Sequence, residues 1–131
     1  MNPFELEAIE NCPKEGPVYM VNLVKYREKS LDGNGSGRDA YMRYGAVVSE
    51  KHKSLGAVVI WMGKVEHLAL KEGGDTDWDV VQLVYYPSRE KFIEMVTSDW
   101  YQVANEDRVN GTEKHVIFAS STVIQNPFPV E

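Results

Sequence analysis

Residues 86–108 read Tyr86-Pro87-Ser88-Arg89-Glu90-Lys91-Phe92-Ile93-Glu94-Met95-Val96-Thr97-Ser98-Asp99-Trp100-Tyr101-Gln102-Val103-Ala104-Asn105-Glu106-Asp107-Arg108. The aromatic pair Tyr85-Tyr86 closes a run rich in branched residues, and Pro87, which has no amide donor, stops it. Ser88 stands where a helix cap is wanted, Glu90 suits the first turn, and Phe92, Met95 and Val96 fall on one helical face. Ser98 opens a second capped turn over about 98–108. A strand, a stop and a capped amphipathic helix form the second half of a repeating strand–helix unit.

Toward the C-terminus, residues 113–124 are predicted as the last strand, and the tail 125–131 with Pro127 and Pro129 as irregular. Toward the N-terminus, residues 77–86 and 57–70 read as two long strands joined by a polar loop over 71–76, a hairpin, with Gly63 marking a bulge or bend. Gly56 ends a helix that begins at the capping box Ser36-Gly37-Arg38-Asp39 and runs to about Lys53. Tyr41, Tyr44, Val48 and Leu55 form its apolar stripe, and Gly45 beside the stripe predicts a close approach to the sheet. Residues 29–37 are a Gly-, Asn- and Ser-rich loop, able to act as a lid over a pocket. Residues 17–26 are the first strand, and 1–16 an arm with a short helical turn around Phe4–Ile9.

The element order is thus β-α-β-β-α-β. It predicts an α+β, ferredoxin-like fold in a single domain spanning 1–131, with its core at about 17–124. The sheet has four antiparallel strands, and right-handed crossovers put both helices on one face.

Composition narrows the function classes. A chain of 131 residues can bury roughly two thirds of its unfolded surface and needs no metal or disulfide to fold. With 14 basic and 20 acidic residues the net charge is −6, which disfavours nucleic acid and anionic membranes as partners. Cys12 is the only cysteine, so no intrachain disulfide can form, and it has no triad context. No signal-peptide pattern and no membrane-length apolar run is present, so the expected location is the cytoplasm. His52, His67 and His115 lack metal-ligand spacing, and Gly33-x-Gly35-x-Gly37 lacks the residues of a phosphate loop. No cofactor is expected; a haem site is disfavoured because no histidine is placed in the pocket.

Alternation makes both faces of the sheet apolar. In the first strand Val18, Met20, Asn22 and Val24 oppose Tyr19, Val21 and Leu23; in the third, Val80, Gln82 and Val84 oppose Val81, Leu83 and Tyr85. Two helices cover one face only. The other exceeds a normal monomer patch, so a homodimer through sheet-to-sheet packing is expected. A different partner protein or a lipid-like ligand on that face is the second choice.

Tyr86-Pro87-Ser88, Ser98-x-x-Tyr101-Gln102 and Arg108, with Tyr41 and the His52–Gly56 helix exit, resemble the closing motif of the domain of unknown function 1330 family. That family lies within the dimeric α+β barrel superfamily. The usual paired glycine of the helix exit is replaced by Ser54-Leu55-Gly56. The resemblance implies two ferredoxin-like subunits that pair their sheets. Other branches of the superfamily include cofactor-free monooxygenases and isomerases of small aromatic or lactone substrates, haem binders and regulators.

Seven residues are candidate ligand contacts: Asn22, Tyr41, Trp61, Gln82, Arg89, Tyr101 and Arg108. Asn22 and Gln82 are amides inside central strands, where an unpaired one costs about 1–3 kcal/mol. They either bond each other, a backbone bulge or water, or line a polar spot in a cavity. Arg89 opposes the dipole at a helix start, so it pairs with Asp79 or Glu90 or faces a ligand carboxylate. Tyr101 and Arg108 share a face if the turn continues as helix, and a phenol beside a guanidinium suits an oxyanion. The alternative is an aromatic anchor and a surface salt bridge. Trp61 packs in the core, the dimer seam or the site. The expected function is small-molecule binding, with cofactor-independent catalysis on a small anionic or aromatic metabolite; the alternative is a non-catalytic binding or regulatory dimer.

Overall fold

The three long helices each start where a serine hydroxyl satisfies an orphan amide. The computed structural model describes residues 3–11 and 15–127; Cys12, Pro13 and Pro129 lie outside the described residues. The elements are α1 (Leu6–Glu10), β1 (Val18–Tyr26), α2 (Gly37–Leu55), β2 (Val58–Lys64), β3 (Val80–Tyr86), α3 (Arg89–Thr97), α4 (Asp99–Gly111) and β4 (Thr112–Ser120). Ser36 and Asp39 close the capping box on α2, and Gly56 ends that helix in the left-handed conformation at φ 69°. Ser88 accepts from the Lys91 amide at the start of α3, and Ser98 does so from Tyr101 at the start of α4.

The sheet order is β2-β3-β1-β4, with every neighbouring pair antiparallel. This is the ferredoxin-like arrangement, its helices packed on one face. Val18, Met20, Asn22 and Val24 of β1 are buried under the helices, while Tyr19, Val21 and Leu23 on the other face are half-buried. Val18, Met20, Val84, Tyr86, Phe92 and Met95 share one core with Val48 and Leu55 of α2 and Tyr101 of α4.

Four expectations are corrected. The segment 98–108 is not a turn but part of the 13-residue helix α4, which Ser98 starts anew after ending α3. The strand predicted over 57–70 stops at Lys64, and its partner begins only at Val80. Asp79 is the last bridge: its amide donates to the Val24 carbonyl, its carbonyl accepts from the Val65 amide, and its carboxylate accepts from the Tyr26 amide at 2.9 Å. The last strand stops at Ser120, which pairs with Tyr19 and whose hydroxyl donates to the Tyr19 carbonyl; β1 extends only one residue further, to Val18. Gly45 makes no close approach, since a Cβ there would meet nothing within 4 Å. The tight crossing is at Gly111, where a Cβ would lie 2.5 Å from the Gly37 carbonyl oxygen and 2.7 Å from the Tyr41 amide nitrogen.

Candidate functional site

Two voids adjoin between sheet and helices. The inner chamber, about 50 Å³, is walled by phenols and amides: Tyr41, Tyr44, Tyr86, Tyr101, Asn22 and Gln82 among apolar side chains. It holds a few water molecules at most. The outer groove, about 550 Å³, runs between the N-terminal segment and β4. That volume falls in the range of small-molecule sites. Its walls are mostly apolar, with Arg89, Arg108, His115 and Glu5 as the polar groups. Phe4, Met20, Phe92 and Ile117 line both voids.

Strand register brings the polar groups together. Asn22 pairs across with Gln82 on β3 and with Ile117 on β4, so all three side chains face the helices. The two amides do not bond each other. The Tyr41 hydroxyl donates to Gln82 Oε1 at 2.8 Å, and Asn22 Nδ2 donates to the Met20 carbonyl at 3.2 Å. His115 Nε2 donates to Asn22 Oδ1 at 2.8 Å, while Arg108 Nη1 donates to His115 Nδ1 at 3.2 Å. The imidazole is therefore neutral, with its proton on Nε2. Burial, reinforced by the Arg108 guanidinium, pushes its pKa down to about 3.

Arg108 is the unusual cation. Its Nε donates to Asn105 Oδ1 at 2.6 Å, and the guanidinium lies 5.7 Å over the Phe4 ring. Among the described residues it forms no ion pair; its partners are an amide, an imidazole, a phenol and a ring. Burial raises Tyr41, Tyr44 and Tyr86 well above the usual phenol range. Burial raises Tyr101 too, but there the Tyr44 hydroxyl, at 2.7 Å, and Arg108 pull the other way. All four are neutral donors at physiological pH.

Of the seven candidates, Asn22, Tyr41, Gln82 and Tyr101 line the inner chamber and Arg89 and Arg108 the outer groove. Arg89 is buried. Asp79, one of its expected partners, is held instead by Lys25 at 3.5 Å. Trp61 lines neither void: β2 turns it to the open face opposite the helices, beside Leu83, where it is half exposed. The loop 29–37 is no lid over either void. Its Asp32 accepts from Ser30 and Asn34 and faces Arg43 of α2, and no residue of the loop lines the chamber or the groove.

His115 and Phe4 are site residues that the sequence reading passed over. The period-two alternation of β4, which sets His115 on the side of Ile117, was the available signal for the first. Phe4 carried none, because its place depends on how the arm folds back. His115 also removes the stated ground against a haem site, although both its ring nitrogens are engaged. Among the described residues no three His, Cys, Asp or Glu side chains are grouped to hold a metal ion, and no helix is long and apolar enough to cross a membrane.

Comparison with solved structures agrees with this fold. The chain is similar to the RPA0582 protein of Rhodopseudomonas palustris, a protein of unknown function. Identity is 28%, with 94% of this chain and 96% of that one covered and a TM-score of 0.84. The methylated RPA0582 protein gives 29% identity over 95% and 96% of the two chains, with a TM-score of 0.83. A dabb family protein with a ferredoxin-like fold from Mesorhizobium loti shares the fold at 12% identity, covering 82% and 98%, with a TM-score of 0.52. No protein-family model matches the chain, and no curated protein matches it.

Proposed function

We propose that this protein is a small-molecule-binding homodimer whose ligand is a small anionic or aromatic metabolite held between sheet and helices. One observation carries the reading: Arg108 is a cation with neutral partners at a groove that abuts a phenol-lined chamber. A guanidinium in partly desolvated surroundings favours an anion, and a carboxylate matches its fork. In the catalytic form of the proposal the chemistry is cofactor-independent, of isomerase or monooxygenase type. Tyr101 supplies the proton or hydrogen bond to a developing oxyanion, since its phenol is the one that Arg108 and Tyr44 hold back from the full effect of burial.

The non-catalytic alternative draws on a different observation. Among the described residues no buried side-chain polar atom lacks a partner, as a network built for stability alone would also have it. The second subunit is proposed from the open sheet face, where Val58, Trp61 and Phe118 are 53%, 53% and 57% exposed around the half-buried Val21 and Leu23. Kinship with the domain of unknown function 1330 family is proposed on the Tyr86–Arg108 motif. A single cysteine suits a reducing compartment, so the cytoplasm is the proposed location.

The test is thermal denaturation with a panel of small carboxylates. Wild-type protein is expected to melt higher with at least one of them, and Arg108→Ala to lose that response while keeping its oligomeric state. Equal responses in the two proteins would remove Arg108 from the site.

A further inference from the structure

The ring of Phe4 stands between the two voids with Met20, Phe92 and Ile117, which also line both, and it is the one of the four carried by the N-terminal segment. Its seat is built for an aromatic ring. Phe92 meets it edge-on at 5.9 Å and 74°, Tyr101 at 5.8 Å and 68°, and the Arg108 guanidinium lies over it at 5.7 Å. Edge contacts and a cation over the π-face favour an aryl group over an aliphatic one of equal size.

The segment that delivers this ring has little helix stability of its own. α1 spans five residues, far below the length at which a helix stands alone. It has no side-chain cap bond and fully buries none of its residues, Leu6 and Ile9 packing half-buried against the core. Glu5, the one acid lining the groove among the described residues, sits on the same segment. Movement of the segment would therefore withdraw a ring and a negative charge together, leaving Arg89, Arg108 and His115 around the vacated space.

We propose that the seat of Phe4 is an aryl subsite with Phe4 as its displaceable resident, and that the ligand is a small arylcarboxylate whose ring takes that seat and whose carboxylate takes Arg108. The inference rests on the anion-site reading above and narrows it to one ligand class. Phe4 then acts as an internal competitor. The apparent affinity of the ligand is lowered by the fraction of molecules in which the seat is filled.

Calorimetric titration of wild type and Phe4→Ala with benzoate, cyclohexanecarboxylate and benzamide tests it. Phe4→Ala is expected to bind benzoate roughly tenfold tighter than wild type. It should prefer benzoate to the saturated acid and to the uncharged amide, and lose binding when Arg108→Ala is added. If Phe4→Ala does not fold, the wild type suffices: proton NMR should show the Phe4 ring resonances moving toward solvent-exposed values as benzoate is added. Equal benzoate affinity in wild type and Phe4→Ala, equal binding of the two acids, or an undisturbed Phe4 ring at saturation would overturn the aryl subsite. Arg108-dependent carboxylate binding with any of those results leaves the anion site standing. Absence of carboxylate binding to every folded variant removes both.

Discussion

His115 accepts a hydrogen bond from Arg108 on one nitrogen and donates to Asn22 with the other, so protonating it breaks the relay and places two cations side by side. Its folded pKa of about 3 lies below the ordinary value of 6.5, and that of His52 is lowered by burial as well. Above pH 6.5 the imidazole is neutral in both folded and unfolded chains and costs nothing. As the pH falls from there toward 3, the unfolded chain takes up a proton that the folded one refuses, and stability declines. The slope is at most about 1.4 kcal/mol per pH unit for each histidine. Urea melts between about pH 7 and 5.5, above the carboxylate range, should show the onset of this acid loss, and His115→Gln should flatten it. An unchanged slope in the variant would mean that His115 titrates normally in the folded state.

At the scale of elements, α2 and α4 meet where Gly111 touches the backbone of Gly37 and Tyr41. A methyl at Gly111 cannot be absorbed by turning a side chain, because both neighbours are main-chain atoms. Gly111→Ala should therefore part the helices and cost about 1–3 kcal/mol. Tyr41 would shift with α2, taking its hydrogen bond to Gln82 with it. Gly45→Ala, in the middle of α2 with open space around it, should instead stabilise by about 0.5–1 kcal/mol through helix propensity. Chemical denaturation of the two variants separates these opposite signs, and destabilisation by Gly45→Ala would contradict the open space. The caps at Ser36, Ser88 and Ser98 were legible because a hydroxyl before an apolar period is local information. The length of α4 was not, since it depends on Ser98 ending one helix and starting another with only one residue between.

For the whole molecule, the open sheet face is the ground of the proposed assembly. Leu83 lies at its centre, with Val21 and Trp61 as cross-strand neighbours. Burial of such a face is worth about 25 cal/mol per Å² of apolar surface, whereas a charge at its centre costs several kcal/mol when desolvated. Sedimentation should find wild type as a dimer at micromolar concentration and Leu83→Asp as a monomer that still folds. A wild-type monomer under those conditions would refute the proposed assembly.

The amino-acid order alone determined the order of the four strands and the two crossover helices, the serine caps and the two-sided apolar character of the sheet. These follow from contacts within one turn or from period-two alternation, and both are written along the chain. Only the tertiary structure decided which residues share the site. Strand register set His115 beside Asn22 and turned Trp61 away from the helices, and the folding-back of the arm brought Phe4 under Arg108. Such juxtapositions join residues about a hundred positions apart, and no local pattern encodes a distance of that kind.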